Sequence, residues 1–212
     1  MNINEYLTKL KNEENFRPKK ILDIGANIGE FAKFCKLLFV DTKILMIEAN
    51  QYCEEDLIST GFEYEIILLG KEKKEVDFFI NPSNRKCTGC SYYKEITSHY
   101  KDCVVEKKKI NLLDEFTSEK FNLIKIDTQG SELDIIKGGM GVIKNCEILI
   151  VESSVREFNK NAPNFSELVD FLHDIGFYQY EIIESHIWSS ESPEFESGEV
   201  FQLDIAFKNS KK

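Results

Sequence analysis

Lys125 and Asp127 stand two residues apart in the apolar run 121–127 (FNLIKID), and Glu152 closes a similar run at 146–152 (CEILIVE). Residues two apart on a strand point the same way, so ammonium and carboxylate share a face. A lysine in so apolar a run is costly to bury unless it is paired. Carboxylates at two neighbouring strand ends project into one crevice, where open α/β sheets bind their ligands. Such a set can align an acceptor hydroxyl and remove its proton. Asp127 is the expected general base or orienting group, with Lys125 positioning it. Gln129, Glu132 and Glu152 are expected to line the acceptor pocket. A divalent cation on Asp127 and Glu152 is a second way to lower the acceptor's pKa. No histidine or further acid sits at an obvious ligand spacing, so no metal ligands are assigned. A third reading is structural, with Asp127 capping the helix that follows.

The segment 21–30 (ILDIGANIGE) holds the other constellation, Asp23-x-Gly25-x-Asn27-x-Gly29 between a strand and a helix. Glycine permits positive φ and close backbone approach, so a ligand can rest directly on such a turn. A dinucleotide fingerprint would need glycines where Gly25, Asn27 and Glu30 stand, and two of the three are missing. A phosphate loop ending in G-K-[ST] is also absent. The expected ligand is a nucleoside without phosphates. Glu48 ends the next apolar run and can accept hydrogen bonds from both ribose hydroxyls. A positive sulfonium beside Asp23 and Glu48 points to S-adenosylmethionine. Ala26, Ala49, Asn50 and Leu69, at the turn and the strand ends, complete the expected cofactor-binding set.

These residues need strands and helices to hold them. Nearly continuous Ile, Leu and Val runs at 20–24, 43–48, 63–69, 121–127 and 146–152 read as buried parallel strands. Between them Phe31, Phe34, Cys35 and Leu38 fall on one helical face, as do Leu168, Phe171, Leu172 and Ile175, with Gly176 as a stop. The pattern predicts an open α/β sandwich. Residues 1–19 read as a helical extension and 82–103 as an insertion or lid loop within a single domain spanning 1–212. Two late strand-like runs at 178–183 and 200–207 flank a loop at 185–198 that carries His186 and Trp188 to the site rim, and His186 is a candidate acceptor contact.

The runs ILDIGANIGEFAKF, IEAN (47–50), KIDTQGSELDIIKGG (125–139) and ILIVE (148–152) together resemble the FkbM-type methyltransferases over about residues 21–176. The D-x-Q-G-x-E segment at Asp127–Glu132 is the more specific part. The resemblance implies a Rossmann-like class I methyltransferase fold: a mostly parallel seven-stranded sheet whose last strand is antiparallel. It also implies methyl transfer to a hydroxyl, commonly on sugars or secondary metabolites. One departure is Gly70-Lys71 after Leu69, where such enzymes often place an acid or polar residue near the adenine.

Composition narrows the partners. The 212 residues carry 27 basic and 37 acidic side chains, a net charge of −10, which argues against a broad nucleic-acid or anionic-membrane surface. No apolar segment is long enough to span a bilayer and the opening stretch has no signal core, so a soluble, cytoplasmic protein is expected; the small-molecule or saccharide acceptor is what the resemblance implies. Cys87, Cys90, His99 and Cys103 offer four zinc-ligand types, but their spacing fits no trusted zinc motif, and structural or reactive thiols are the favoured reading. Tyr92, Tyr93 and Tyr100 can either close over an acceptor or pack under the lid. Two other readings stay open: an NAD(P)-linked oxidoreductase, which lacks the glycines and a Tyr-x3-Lys pair, and a non-catalytic binding protein.

Overall fold

The structure is a computed structural model that describes residues 1–189 and 194–210. Residues 190–193 of the expected rim loop and 211–212 of the expected domain lie outside the described residues. In chain order the elements are α1 (Ile3–Glu13), β1 (Lys20–Ile24), α2 (Glu30–Leu38), β2 (Lys43–Glu48), α3 (Glu54–Thr60), β3 (Glu63–Ile66), β4 (Leu68–Leu69), β5 (Glu75–Ile80), β6 (Val104–Asn111), α4 (Leu113–Phe116), β7 (Leu123–Ile126), α5 (Glu132–Gly138), α6 (Met140–Ile143), β8 (Ile148–Ser154), α7 (Phe165–Asp174), β9 (Gln179–Ile187) and β10 (Val200–Lys208).

Seven strands form the main sheet in the order β3-β2-β1-β7-β8-β10-β9. Every pairing from β3 to β8 is parallel, while β10 runs antiparallel to both β8 and β9. The last strand of the chain is thus the reversed one, inserted between two that run with the sheet. The central strands are buried along their lengths, as β7 and β8 show at every position; parallel strands covered on both faces require the continuous apolar runs seen here. One layer packs Leu133, Ile136, Leu168 and Leu172 on one face, and the other packs Leu7, Leu10, Ala32 and Cys35 on the opposite face. Capping boxes start α1 (Asn2 with Glu5) and α7 (Asn164 with Glu167), each satisfying two otherwise orphaned N–H groups. Gly176, at φ +109°, follows α7.

The structure departs from the sequence expectations at two strands. The run 63–69 divides: Ile67 N still bonds Glu48 O, and then β4 leaves the main sheet to pair with β6. With β5 these make a second, three-stranded sheet that carries the loop containing residues 82–103. Second, β9 runs on to Ile187, so Ser185 and His186 are strand residues rather than part of a loop. Pairing with β10 supplies the backbone partners that keep the strand going, through Ser185↔Leu203 and His186↔Gln202.

Candidate active site

The turn after β1 is built around backbone contacts. Gly25 N and Ala26 N both donate to Ile47 O, at 2.9 and 3.1 Å, which ties the turn to β2. Gly25 has φ +79°, and a Cβ there would lie 1.8 Å from Asp127 O. The carboxylate of Glu48 then fixes the rest of the loop: Oε2 accepts from Asn27 N at 2.7 Å and Oε1 from Asn50 N at 2.8 Å. Asn27 and Asn50 in turn donate from their side chains to Lys86 O (3.0 Å) and Arg85 O (2.6 Å). The loop 81–91 is thereby held over the ends of β1 and β2. Between them lies a cavity of about 330 Å³, at the lower end of the range of small-molecule sites. Its walls include Ile24, Phe31, Ile47, Leu69 and Ile135, apolar side chains that keep water out, with Glu48, Lys125, Asp127 and Ser91 as polar points.

The end of β7 supplies the charged wall. Lys125 Nζ lies 2.9 Å from Asp127 Oδ2 and 5.5 Å from the Phe31 ring centroid. Lys125 is 7% exposed, whereas the Asp127 side chain keeps 31% of its surface accessible. Burial works to raise the Asp127 carboxyl, but the charge and hydrogen bond of Lys125, together with the hydrogen bonds of Gln129 and Glu152, hold the group below the usual carboxylate range. Burial equally works to lower Lys125, and the charges of Asp127 and Asp23 reverse that. The two form a firmly ionised pair. Gln129, at φ 56°, donates from Nε2 to Asp127 Oδ1 at 3.1 Å and to Glu152. Gln202 Nε2 reaches Glu152 Oε2 at 3.0 Å.

Beyond Asp127 the polar wall continues onto the antiparallel strands. Glu152 and Asp204 are register partners on β8 and β10, and His186 Nε2 sits 3.0 Å from Asp204 Oδ2 and 4.0 Å from Glu152 Oε1. Burial, then the charges of Asp127, Glu132 and Asp204, raise Glu152 well above its ordinary range. The hydrogen bond to Asp204 raises His186. Ligand atoms of Glu152, His186 and Asp204 come within 4.8 Å of one another. By donor type they fit a divalent cation of the oxygen- and nitrogen-bound class. No sequence spacing relates these residues to Glu152; they meet through sheet register.

Residues 23–178 match the methyltransferase FkbM domain. The chain belongs to the FkbM methyltransferase family. It is an S-adenosylmethionine-dependent methyltransferase. Solved structures share its fold at low identity. A Thermoplasma acidophilum protein is 10% identical with a TM-score of 0.51, covering 98% of this chain and 88% of its own. The plantazolicin methyltransferase BpumL, solved with S-adenosylhomocysteine, is 12% identical with a TM-score of 0.50, covering 97% and 82%. Among curated proteins, none matches the chain.

In this FkbM methyltransferase, six of the nine residues expected to bind cofactor line the cavity: Gly25, Ala26, Asn27, Glu48, Ala49 and Leu69. Gly29 instead starts α2 in the left-handed conformation at φ +80°, and Asn50 braces Glu48 and the 81–91 loop from behind. Asp23 lies beneath the cavity, fully buried, as the register partner of Lys125. Glu132 folds back on its own turn, accepting Thr128 N at 2.7 Å and Gly130 N at 2.9 Å, and does not line the cavity. The helix-turn role considered for Asp127 is therefore performed by Glu132. Gln129, Glu152 and His186 sit together beside Asp127, outside the cavity's lining.

Sequence reading missed the contribution of Phe78, Thr88 and Ser91, which enter the cavity from the second sheet and its loop. A loop without periodicity gives no signal of where it docks. The tyrosines are packing residues: Tyr92 and Tyr93 donate to Asp134 at 3.1 and 3.0 Å, and Tyr100 is 2% exposed. Among the described residues Cys87, Cys90, His99 and Cys103 do not converge as a ligand set; the pair that meets is Cys87 and Cys90. Among the described residues, too, no helix is long and apolar enough to cross a membrane.

Asp23 gives a pH signature. Its side-chain oxygens have no hydrogen-bond partner, and burial, partly offset by Lys125, pushes its carboxyl from 3.8 to about 6. A raised folded-state pKa means the protonated form is the one that the fold tolerates. Stability from this group is full below the unfolded pKa and is lost as pH climbs through about 6. Asp23→Asn is expected to melt higher than wild type at pH 7–8, by roughly 2–3 kcal/mol of stability, with the gap closing near pH 4. Thermal melts across that range check it, and a gap that widened in acid would refute the assignment.

Proposed function

We propose that the enzyme transfers the methyl group of S-adenosylmethionine to a hydroxyl of a saccharide or other small molecule. The observation that carries this is the position of Asp127, ionised by Lys125, on the cavity wall next to the polar cluster of Gln129, Glu152, His186 and Asp204. The residues present fit the cofactor. Gly25, at φ +79° with the Asp127 main chain packed where a Cβ would stand, lines the cavity as bare backbone, and both Glu48 oxygens retain lone pairs for ribose hydroxyls beside the N–H groups they already accept. When bound, the cofactor supplies an electrophilic methyl group on a cationic sulfur.

The protein's own tasks follow from the geometry. Glu48 grips the ribose, and Leu69, Ile24 and Ile47 shield the adenosine from water. Lys125 and Gln129 each take one lone pair of Asp127, from Oδ2 and Oδ1, so the carboxylate is fixed in direction while further lone pairs remain for the acceptor hydroxyl. Asp127 would take up the proton of the acceptor hydroxyl, so that the methylated oxygen is left neutral. A carboxylate of low pKa suffices, because the hydroxyl becomes strongly acidic only as it is alkylated. Gln129, Glu152 and His186 present mixed donors and acceptors to the remaining hydroxyls. Half-buried Phe201, 6.4 Å from the His186 ring between centroids, offers a ring for an apolar sugar face. Glu152 is held by both amides, and His186 by Asp204, so each step above uses only side chains.

Glu48→Gln tests the cofactor half. Its amide NH2 would face Asn27 N or Asn50 N, placing two donors against each other. S-adenosylhomocysteine affinity, read by calorimetry, is expected to drop roughly ten- to hundredfold. Unchanged affinity would remove Glu48 from the site. Transfer of tritiated methyl from the cofactor into a metabolite extract, with product identification, tests the acceptor half; label in a nitrogen or carbon position would overturn O-methylation.

A further inference from the structure

The 81–91 loop carries a feature that methyl transfer does not use. Cys87 and Cys90 flank Thr88-Gly89, and their sulfurs stand 3.7 Å apart. Tyr100 Oη lies 3.0 Å from Cys87 Sγ and 3.9 Å from Cys90 Sγ. The turn between the cysteines has little freedom, because a Cβ on Gly89 would come within 2.7 Å of both Tyr100 Oη and Glu95 Oε2. Both cysteines border the cavity and both are half-buried. By contrast Cys35, Cys53 and Cys146 are buried. The hydrogen bond from Cys90, reinforced by Tyr100, lowers the Cys87 thiol, and the same contact with Cys87 leads the effects that raise Cys90. One sulfur is thus poised as thiolate and the other as its proton-bearing partner, the division of labour a C-x-x-C pair uses in exchange.

We propose that Cys87 and Cys90 are a redox-active dithiol that takes a low-molecular-weight disulfide of the glutathione class as oxidant, and that closing their bond weakens cofactor binding. Cys87 thiolate attacks one sulfur of the oxidant, forming a mixed disulfide and releasing one thiolate. Cys90, giving its proton to solvent, then attacks Cys87 Sγ; the Cys87–Cys90 bond forms and the second small thiol leaves. The protein loses two electrons and, starting from the Cys87 thiolate, one proton, and the oxidant becomes two thiols by taking up that proton and one from solvent. The coupling half rests on the cofactor assignment of the cavity. Bond formation needs the sulfurs to close to about 2.05 Å, which moves two wall residues. The adjoining carbonyls of Arg85 and Lys86 are the ones that Asn50 and Asn27 hold, so the movement reaches both loops fixed by Glu48.

The test exposes the reduced, full-length protein to defined ratios of oxidised and reduced glutathione, quenches in acid, alkylates and maps the cysteines by mass spectrometry. The expected product is an internal Cys87–Cys90 disulfide. Cys90→Ser should instead accumulate glutathione on Cys87, and Cys87→Ser should leave Cys90 unmodified under the same exposure. Calorimetry with S-adenosylhomocysteine should show roughly tenfold weaker binding to the oxidised form. Both thiols remaining alkylatable where a free dithiol is fully oxidised would overturn the dithiol, and wild-type mapping decides that even if a variant fails to fold. Equal affinity in both redox forms would overturn the coupling alone. Should the reduced protein bind no S-adenosylhomocysteine, the cofactor assignment and the coupling both fall, and the map still decides the thiol chemistry.

Discussion

Asp127→Asn is expected to lower kcat roughly 10²- to 10⁴-fold, the range associated with a lost general base, while S-adenosylhomocysteine affinity stays within a few-fold. Asparagine has the same shape and keeps one oxygen for Lys125, so the cavity wall should survive. What disappears is a carboxylate able to receive the acceptor's proton. The electrostatics supply a second readout. The Asp127 charge is the largest influence after burial in raising Glu152, so removing it lets Glu152 ionise at lower pH. Lys125 also loses its nearest counter-charge and keeps Asp23 and Asp204. Residual turnover in the variant should therefore rise with pH more steeply than in the wild type. Stopped-time assays with a saturating acceptor measure both effects; full turnover with cofactor binding intact would end the base role.

The part of the site legible in the sequence was the part built from strand ends and tight turns. Gly25, Glu48, Lys125 and Asp127 could be placed because a strand's end and the turn after it fix direction within two or three residues. The reversed last strand was expected as well, through the family resemblance, and the two late strand-like runs supply it together with its edge neighbour. The meeting of Glu152, His186 and Asp204 was not. It depends on the register of β10 against β8 and β9, including the irregularity between Asp204 and Ile205, and register in an antiparallel pair is set by turn geometry that composition does not reveal. His186 looked like a loop residue because polar residues at 184–186 interrupt the apolar pattern. Those positions lie on an edge strand, where one face meets solvent and alternation weakens. The docking of the 81–91 loop was hidden for a different reason: two asparagine side chains bonding carbonyls 59 and 35 positions away leave no trace in local propensity.

Gly25→Ala is expected to abolish measurable S-adenosylhomocysteine binding and to destabilise the fold by about 2–4 kcal/mol. Two costs add. A left-handed backbone disfavours any side chain by about 1–2 kcal/mol, and here the new methyl would also lie 1.8 Å from Asp127 O and 2.7 Å from Asp127 C. A main-chain carbonyl cannot swing aside as a flexible side chain would. Asp127 N donates to Ile24 O at 3.0 Å, the rung that ties the ends of β1 and β7 together. Relief of the clash has to part those ends, carrying Asp127 away from Glu48 and breaking the alignment between donor and acceptor subsites. Gly61 separates the two costs. It has φ +73°, and a Cβ there meets nothing within 4 Å, so Gly61→Ala should show the backbone penalty alone and bind ligand normally. If Gly25→Ala melted no lower than Gly61→Ala and still bound S-adenosylhomocysteine, the close passage of β7 over the glycine turn would not be what shapes this site.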